Sequence, residues 1–216
     1  MNKSQNNDPA SWIARLLLET GAVKLQPTSP FTWASGWKSP IYCDNRLTLS
    51  YPEVRTQIKE TLSRVVSEQY PEVESIAGVA TAGIPQGALV ADALELPFLY
   101  VRSKPKGHGM ENLIEGKITP DQKTIVVEDL ISTGGSSIKA IDALRKNGFD
   151  VLGMVAIFTY GFPLAKENLK MANIRFHTLS NYKVLVTEAI KSGYIQKEDE
   201  ELLKSWRKDP GNWGGK

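Results

Sequence analysis

Apolar residues first recur at helical spacing, with Ile13, Leu16 and Leu17 on one face, Asp8 and Pro9 as the opening signal and Gly21 as the stop. The stretch 25–49 breaks that period. It is rich in β-branched and aromatic residues and punctuated by Pro27, Pro30, Gly36 and Pro40, which predicts short strands and turns. Ser50 and Glu53 stand at capping-box spacing, so a helix is expected to run on to about Glu68. From Ser75 the pattern alternates between short apolar runs and helical periods. An apolar strand over 75–80 leads through Thr81, Ala82, Gly83 into a helix over 87–96, then a strand over 97–101. A polar, glycine-rich stretch, 102–122, interrupts. A strand over 123–127, a turn over 128–135, a helix over 136–148 and a strand over 151–158 follow. Ile138, Ile141 and Leu144 give that helix its apolar face and Gly148 its C-terminal stop. Two more helices and one strand, 174–180, are expected to complete the chain. Strands alternating with helices predict an α/β domain built on a mostly parallel sheet flanked by helices. In such sheets ligands bind beyond the carboxyl ends of the strands, which points to the turns at 80–85, 102–117 and 128–136.

Composition narrows the class without naming a function. The chain has 216 residues, 41% hydrophobic and 23% charged, so it can bury a core without disulfide or metal staples. Lys and Arg number 26 against 24 Asp and Glu, and a net charge of +2 gives no bulk drive towards nucleic acid or a membrane surface. No apolar run approaches the ~18 residues of a bilayer span. The polar start lacks the apolar stretch of a secretory signal, and the lone Cys43 excludes an intrachain disulfide, so a cytoplasmic location is expected. With two histidines and no paired CxxC or HExxH, a protein-built zinc or calcium site is not expected.

The densest chemistry lies in the string TIVVEDLISTGGS over 124–136. A buried strand ends in Glu128 and Asp129, passes Leu130 and Ile131, and enters a turn of Ser132, Thr133, Gly134, Gly135 and Ser136 that opens a helix. Glycines let backbone N–H groups converge on an anion, and the helix N-terminus adds partial positive charge. Carboxylates beside a phosphate would repel it, so they should face neutral hydroxyls or a cation. A ribose 5-phosphate satisfies both halves, with phosphate in the turn and sugar hydroxyls on Glu128 and Asp129. The turn lacks the lysine of a Walker loop, and no GxGxxG occurs.

The string resembles the 5-phosphoribosyl 1-pyrophosphate (PRPP) motif of type I phosphoribosyltransferases. Within that group, FTWASGWKSPIYCDNR over 31–46 resembles the N-terminal segment of the orotate phosphoribosyltransferases, and VRSKPKGHG over 101–109 resembles their mobile catalytic loop. The resemblance implies the type I phosphoribosyltransferase fold as one domain. A small N-terminal hood would cover 1–50, a PRPP-binding core 51–190 and a C-terminal helix and tail 191–216. It implies transfer of ribose 5-phosphate from PRPP to N1 of orotate, a step of pyrimidine nucleotide synthesis, with Mg²⁺ held mainly by PRPP. Arg102, Lys106 and His108 match loop positions that touch PRPP, and the loop of the family reaches a neighbouring subunit, implying a homodimer. Thr81, Ala82 and Gly83 match the turn that holds pyrophosphate, and Ser132 a position that contacts orotate; in the hood segment Lys38 and Arg46 have the charge suited to an anionic pyrimidine. Ala34 stands where some members carry a lysine, and the arginine that some carry near Tyr160 is missing.

Two rival functions follow from the same residues. One is transfer to a purine or uracil, disfavoured by 31–46. The other is a PRPP-sensing regulator that binds nucleic acid, disfavoured by the near-neutral charge and by Lys106 and His108 between glycines.

Overall fold

The structure is a computed structural model that describes residues 8–33, 36–104 and 113–214. The described residues fall into two compact units, those of Arg55–Leu179 and those of Met1–Val54 together with those of Ser180–Lys216.

The Arg55–Leu179 unit is organised by a sheet. Its strands are β5 (Ser75–Val79), β6 (Phe98–Val101), β7 (Ile114–Glu115), β8 (Lys123–Ile131), β9 (Asp150–Thr159) and β10 (Phe176–Asn181), in the spatial order β10-β9-β8-β5-β6-β7. β5 pairs parallel to both β6 and β8, and β8 parallel to β9, whereas β7 adds an antiparallel edge on β6. Every residue of β5 is buried, as a strand covered on both faces requires. The expected α/β architecture is therefore present, and the polar stretch 102–122 contributes the short edge strand β7.

α2 (Pro52–Gln69) precedes the sheet; α3 (Gly83–Ala93) joins β5 to β6, α4 (Gly135–Lys146) joins β8 to β9, and α5 (Pro163–Met171) follows β9. Ile141 and Leu144 of α4 are fully buried in one core with Val126, Met154 and Leu169. β8 runs four residues past the strand end expected at 127. Leu130 and Ile131 still find partners in Phe158 and Thr159 of β9, so the ladder carries both acids into the sheet. His177 packs edge-on against Tyr70 at 5.7 Å, and burial lowers its pKa.

The other unit contains α1 (Pro9–Glu19), two small antiparallel pairs, and the chain's end. β1 (Val23–Leu25) pairs with β4 (Ile41–Cys43), and β2 (Phe31–Thr32) with β3 (Lys38–Ser39). A 3-10 turn covers Asn45–Ser50, where sequence alone suggested strand and turn. Three helices, rather than two, follow β9: α5, α6 (Tyr182–Lys191) and α7 (Glu200–Lys208). The nine residues of α7 give a short amphipathic period, and its Trp206 is almost wholly buried between Trp33 and Tyr182.

α1 and α6 are joined by a buried carboxylate. Glu188 is 3% exposed; Arg15 donates to its Oε2 at 3.2 Å and Lys191 to its Oε1 at 2.8 Å. The Lys191 hydrogen bond, helped by the nearby charges, holds Glu188 below its ordinary pKa of 4.5 despite burial. A depressed carboxylate stabilises the fold above its unfolded pKa, and that stability disappears as pH falls from 4.5 through the lowered folded value. Glu188→Gln is expected to lose about 1–2 kcal/mol at neutral pH, because the neutral amide keeps an acceptor oxygen but not the charge that Lys191 and Arg15 face. Calorimetry should find a lower Tm at pH 7 and a smaller difference between variant and parent in acid. Equal differences at both pH values would remove the ionised carboxylate from the account.

Candidate active site

Three loops leave the carboxyl ends of β5, β6 and β8. The first, at Ala80, Thr81 and Ala82, contains a cis peptide between Ala80 and Thr81. It is tied down at both sides, with Ala80 N–H donating to the Val101 carbonyl at 2.9 Å and Ile84 N–H to the Thr81 carbonyl at 3.3 Å. Gly83 opens α3 so close to β8 that a Cβ there would stand 2.5 Å from the Val127 carbonyl oxygen and 3.3 Å from Glu128 Cα. The lack of a side chain thus lets the 80–83 loop lie beside the acidic strand end.

The second loop starts at Arg102. Its N–H donates to the Leu113 carbonyl at 2.8 Å, and its guanidinium pairs with Glu115 of β7 at 3.1 Å. Arg102 is thereby braced on the edge strand, with its side chain still about a third exposed. Glu115 had no motif to mark it; only the antiparallel return of β7 brings it to Arg102. Lys106, His108 and Ala34 lie outside the described residues.

The third loop carries most of the chemistry. Glu128 is 5% exposed, and both its oxygens are engaged: Oε1 accepts from the Asp129 N–H at 3.1 Å and Oε2 from the Ser137 hydroxyl at 3.1 Å. Burial, followed by the negative charge of Asp129, pushes the Glu128 carboxyl well above its ordinary value, and the Ser137 hydroxyl pulls it back. Asp129 is less buried. Leu130 is half-buried, whereas the Ile131 side chain is 1% exposed, and its carbonyl accepts from Thr159 Oγ1 and from Tyr160 N–H. Beyond them Ser132 is half-buried and Thr133, Gly135 and Ser136 are exposed. Gly134 has φ of 83°, in the left-handed region, and caps α4, its carbonyl accepting from Ile138 N–H at 2.9 Å. The arrangement is a buried acid pair on a strand end, followed by a glycine turn at a helix N-terminus. It can take a diol on one side and an oxyanion on the other. A cavity of about 460 Å³ adjoins these loop ends, with Ala80, Arg102, Ser103, Ser136 and Lys139 in its wall.

Ser137 escaped the sequence reading because the motif stops one residue earlier; its role needed the distance to Glu128. Lys38, on β3 in the other unit, donates to Thr32 Oγ1 at 2.8 Å. Arg46 there forms a two-pronged pair with Asp44, at 2.6 and 2.8 Å, which holds the Asp44 carboxyl below its usual value. Tyr160 is 3% exposed and packed between Phe158 and Phe162. Among the described residues, no three His, Cys, Asp or Glu side chains are grouped so as to hold a metal ion.

The sheet with its strand-end acid pair and glycine turn defines a phosphoribosyltransferase, and the phosphoribosyl transferase domain family matches residues 50–180. Orotate phosphoribosyltransferase from Porphyromonas gingivalis is 59% identical over 202 residues, 94% of this chain and 96% of the relative. The Enterococcus faecalis protein of the same name is 54% identical over 95% of this chain and 98% of its own. The crystal structure of orotate phosphoribosyltransferase from Aeropyrum pernix superposes with a TM-score of 0.73 at 31% identity, over 85% of this chain and 99% of that one. The chain belongs to the orotate phosphoribosyltransferases, glycosyltransferases of pyrimidine biosynthesis.

Proposed function

We propose that the chain transfers ribose 5-phosphate from PRPP to N1 of orotate, releasing pyrophosphate and orotidine 5′-monophosphate. The observation that carries the reading is the placement of Glu128 and Asp129 at the end of β8, two residues before the glycine turn at the head of α4. In this reading the 5-phosphate sits on the N–H groups and hydroxyls of Ser132, Thr133, Gly134, Gly135 and Ser136, with Leu130 and Ile131 carrying the backbone into that turn. The ribose hydroxyls donate to Asp129 and Glu128. Pyrophosphate lies along Thr81, Ala82 and Gly83, near Arg102.

Breaking the C1–pyrophosphate bond builds positive charge on the sugar and negative charge on the leaving group, so fixed charges and positioning are what the protein must supply. Arg102, and by resemblance Lys106 and His108, neutralise the departing pyrophosphate. Ser132 supplies a hydroxyl for the anionic pyrimidine. The donor set suits a metal bound through its substrate. Asp129 and Glu128 hold the sugar hydroxyls, and a Mg²⁺ ion brought in with PRPP would offset the charge of the leaving group. We take the working form to be a homodimer that shares its 102–117 loops across subunits, located in the cytoplasm. Among the described residues no helix is long and apolar enough to cross a membrane.

The test is the absorbance decay of orotate with PRPP and Mg²⁺, run beside adenine, hypoxanthine and uracil. Consumption of orotate alone, abolished by chelating the metal, is the expected result. PRPP binding without consumption of any base would sink the catalytic reading.

A further inference from the structure

We propose that Asn168, on α5 outside the PRPP motif, is a positioning residue that fixes the orientation of the phosphate-binding turn. The inference deepens the function proposed above and rests on it. Asn168 Nδ2 donates to the Thr133 carbonyl at 2.9 Å, across 35 residues of sequence. A carbonyl can only accept, so the amide nitrogen is the atom that faces it.

In a trans peptide the C=O and the following N–H point in opposite directions. Holding the Thr133 carbonyl against α5 therefore turns the Gly134 N–H away from α5. The next peptide is fixed separately, because the Gly134 carbonyl accepts from Ile138 N–H at 2.9 Å and so points along α4. That leaves the Gly135 N–H directed out of the helix end. With Gly134 at φ of 83°, the two N–H groups turn towards one side, the arrangement that captures an oxyanion. Among the described residues, none accepts a hydrogen bond from the backbone N–H of Gly134, Gly135 or Ser136.

Gly134 also explains why an outside brake is needed. A glycine adopts positive and negative φ almost equally, so nothing in the turn itself prevents the Thr133–Gly134 peptide from flipping and presenting its carbonyl to the phosphate. α5 lies against that glycine: a Cβ on Gly134 would stand 3.5 Å from Leu169 Cγ, and Leu169 is fully buried. Leu169 thus anchors the helix, and Asn168 beside it holds the peptide plane.

The test uses Asn168→Asp, which keeps the shape and replaces the donor by a second acceptor, and Asn168→Ala. The readouts are the affinities for ribose 5-phosphate and inorganic phosphate by calorimetry, the KM for PRPP, kcat at saturating PRPP, the KM for orotate and the melting temperature. Loss of this one exposed hydrogen bond predicts about three- to tenfold weaker binding of both phosphates in Asn168→Ala, and a larger loss in Asn168→Asp. The KM for PRPP should rise in parallel, with kcat and the KM for orotate close to the parent values. Unchanged phosphate affinity in both variants, or a fall confined to kcat or melting temperature, would overturn the proposal. A parent protein that binds ribose 5-phosphate yet consumes no orotate would defeat the proposed function alone, because the phosphate titrations would still decide the part played by Asn168.

Discussion

Gly83→Ala should lower kcat/KM for PRPP by about 100-fold and cost a few kcal/mol of stability. The added methyl would be placed 2.5 Å from the Val127 carbonyl oxygen, with Glu128 Cα at 3.3 Å. Both neighbours are backbone, so no side chain can swing aside to relieve the overlap. Overpacking of this kind typically costs about 1–3 kcal/mol. Relief has to come from sliding the head of α3 away from β8. That movement separates the 80–83 loop from the acid pair, the two groups proposed to hold the pyrophosphate and the ribose hydroxyls of the same PRPP molecule. A displacement near ~1 Å between them is enough for a loss on the order of 100-fold. The measurement pairs steady-state kinetics with thermal melting. Parent-like kinetics in a protein that merely melts earlier would mean that the approach of α3 to β8 serves packing only.

The same close approach marks where sequence reading stops. The alternation of short apolar runs with helical periods was enough to predict a parallel α/β sheet. The string 124–136 marked the candidate site because its features are local: its hydroxyls, glycines and helix start are consecutive. β7 was missed because two residues in a polar stretch carry no period, and the strand exists only through pairing with Tyr100 and Val101. β8 was cut short because two acids read as a turn, whereas the longer β9 keeps the ladder going to Ile131. Gly83 could be read as permissive, but only the packed structure reveals that the atom it avoids belongs to the strand bearing Glu128. Ser137, Glu115 and Asn168 share one reason for their silence. Each forms a hydrogen bond with a residue 9 to 35 positions away, through geometry that no spacing rule encodes.

Asp129→Asn is expected to lower kcat/KM for PRPP by about 10- to 100-fold, and also to move the acid limb of its pH profile downward. The first effect follows from replacing a carboxylate on a hydroxyl by an amide, since hydrogen bonds to charged groups are worth about 1.5–3 kcal/mol. The second follows from Glu128. Its carboxyl is raised by burial first and by the negative charge of Asp129 next. The proposed diol contact needs Glu128 ionised as an acceptor. In the parent, activity should therefore fall with pH through a value above the ordinary carboxylate range, and that limb belongs to the pair rather than to either acid. Neutralising Asp129 removes the like charge while burial stays, so Glu128 ionises at lower pH and the limb follows it. A plateau that drops together with a limb that shifts to lower pH ties both acids to one titrating unit. A lower plateau with an unmoved limb would assign the limb to another group, and a limb that moved upward would contradict the electrostatic reading of the pair. Ser137→Ala gives the opposite displacement, since its hydroxyl favours the charged form of Glu128, at 3.1 Å from Oε2. Measured together, the two substitutions bracket the Glu128 carboxyl from either side.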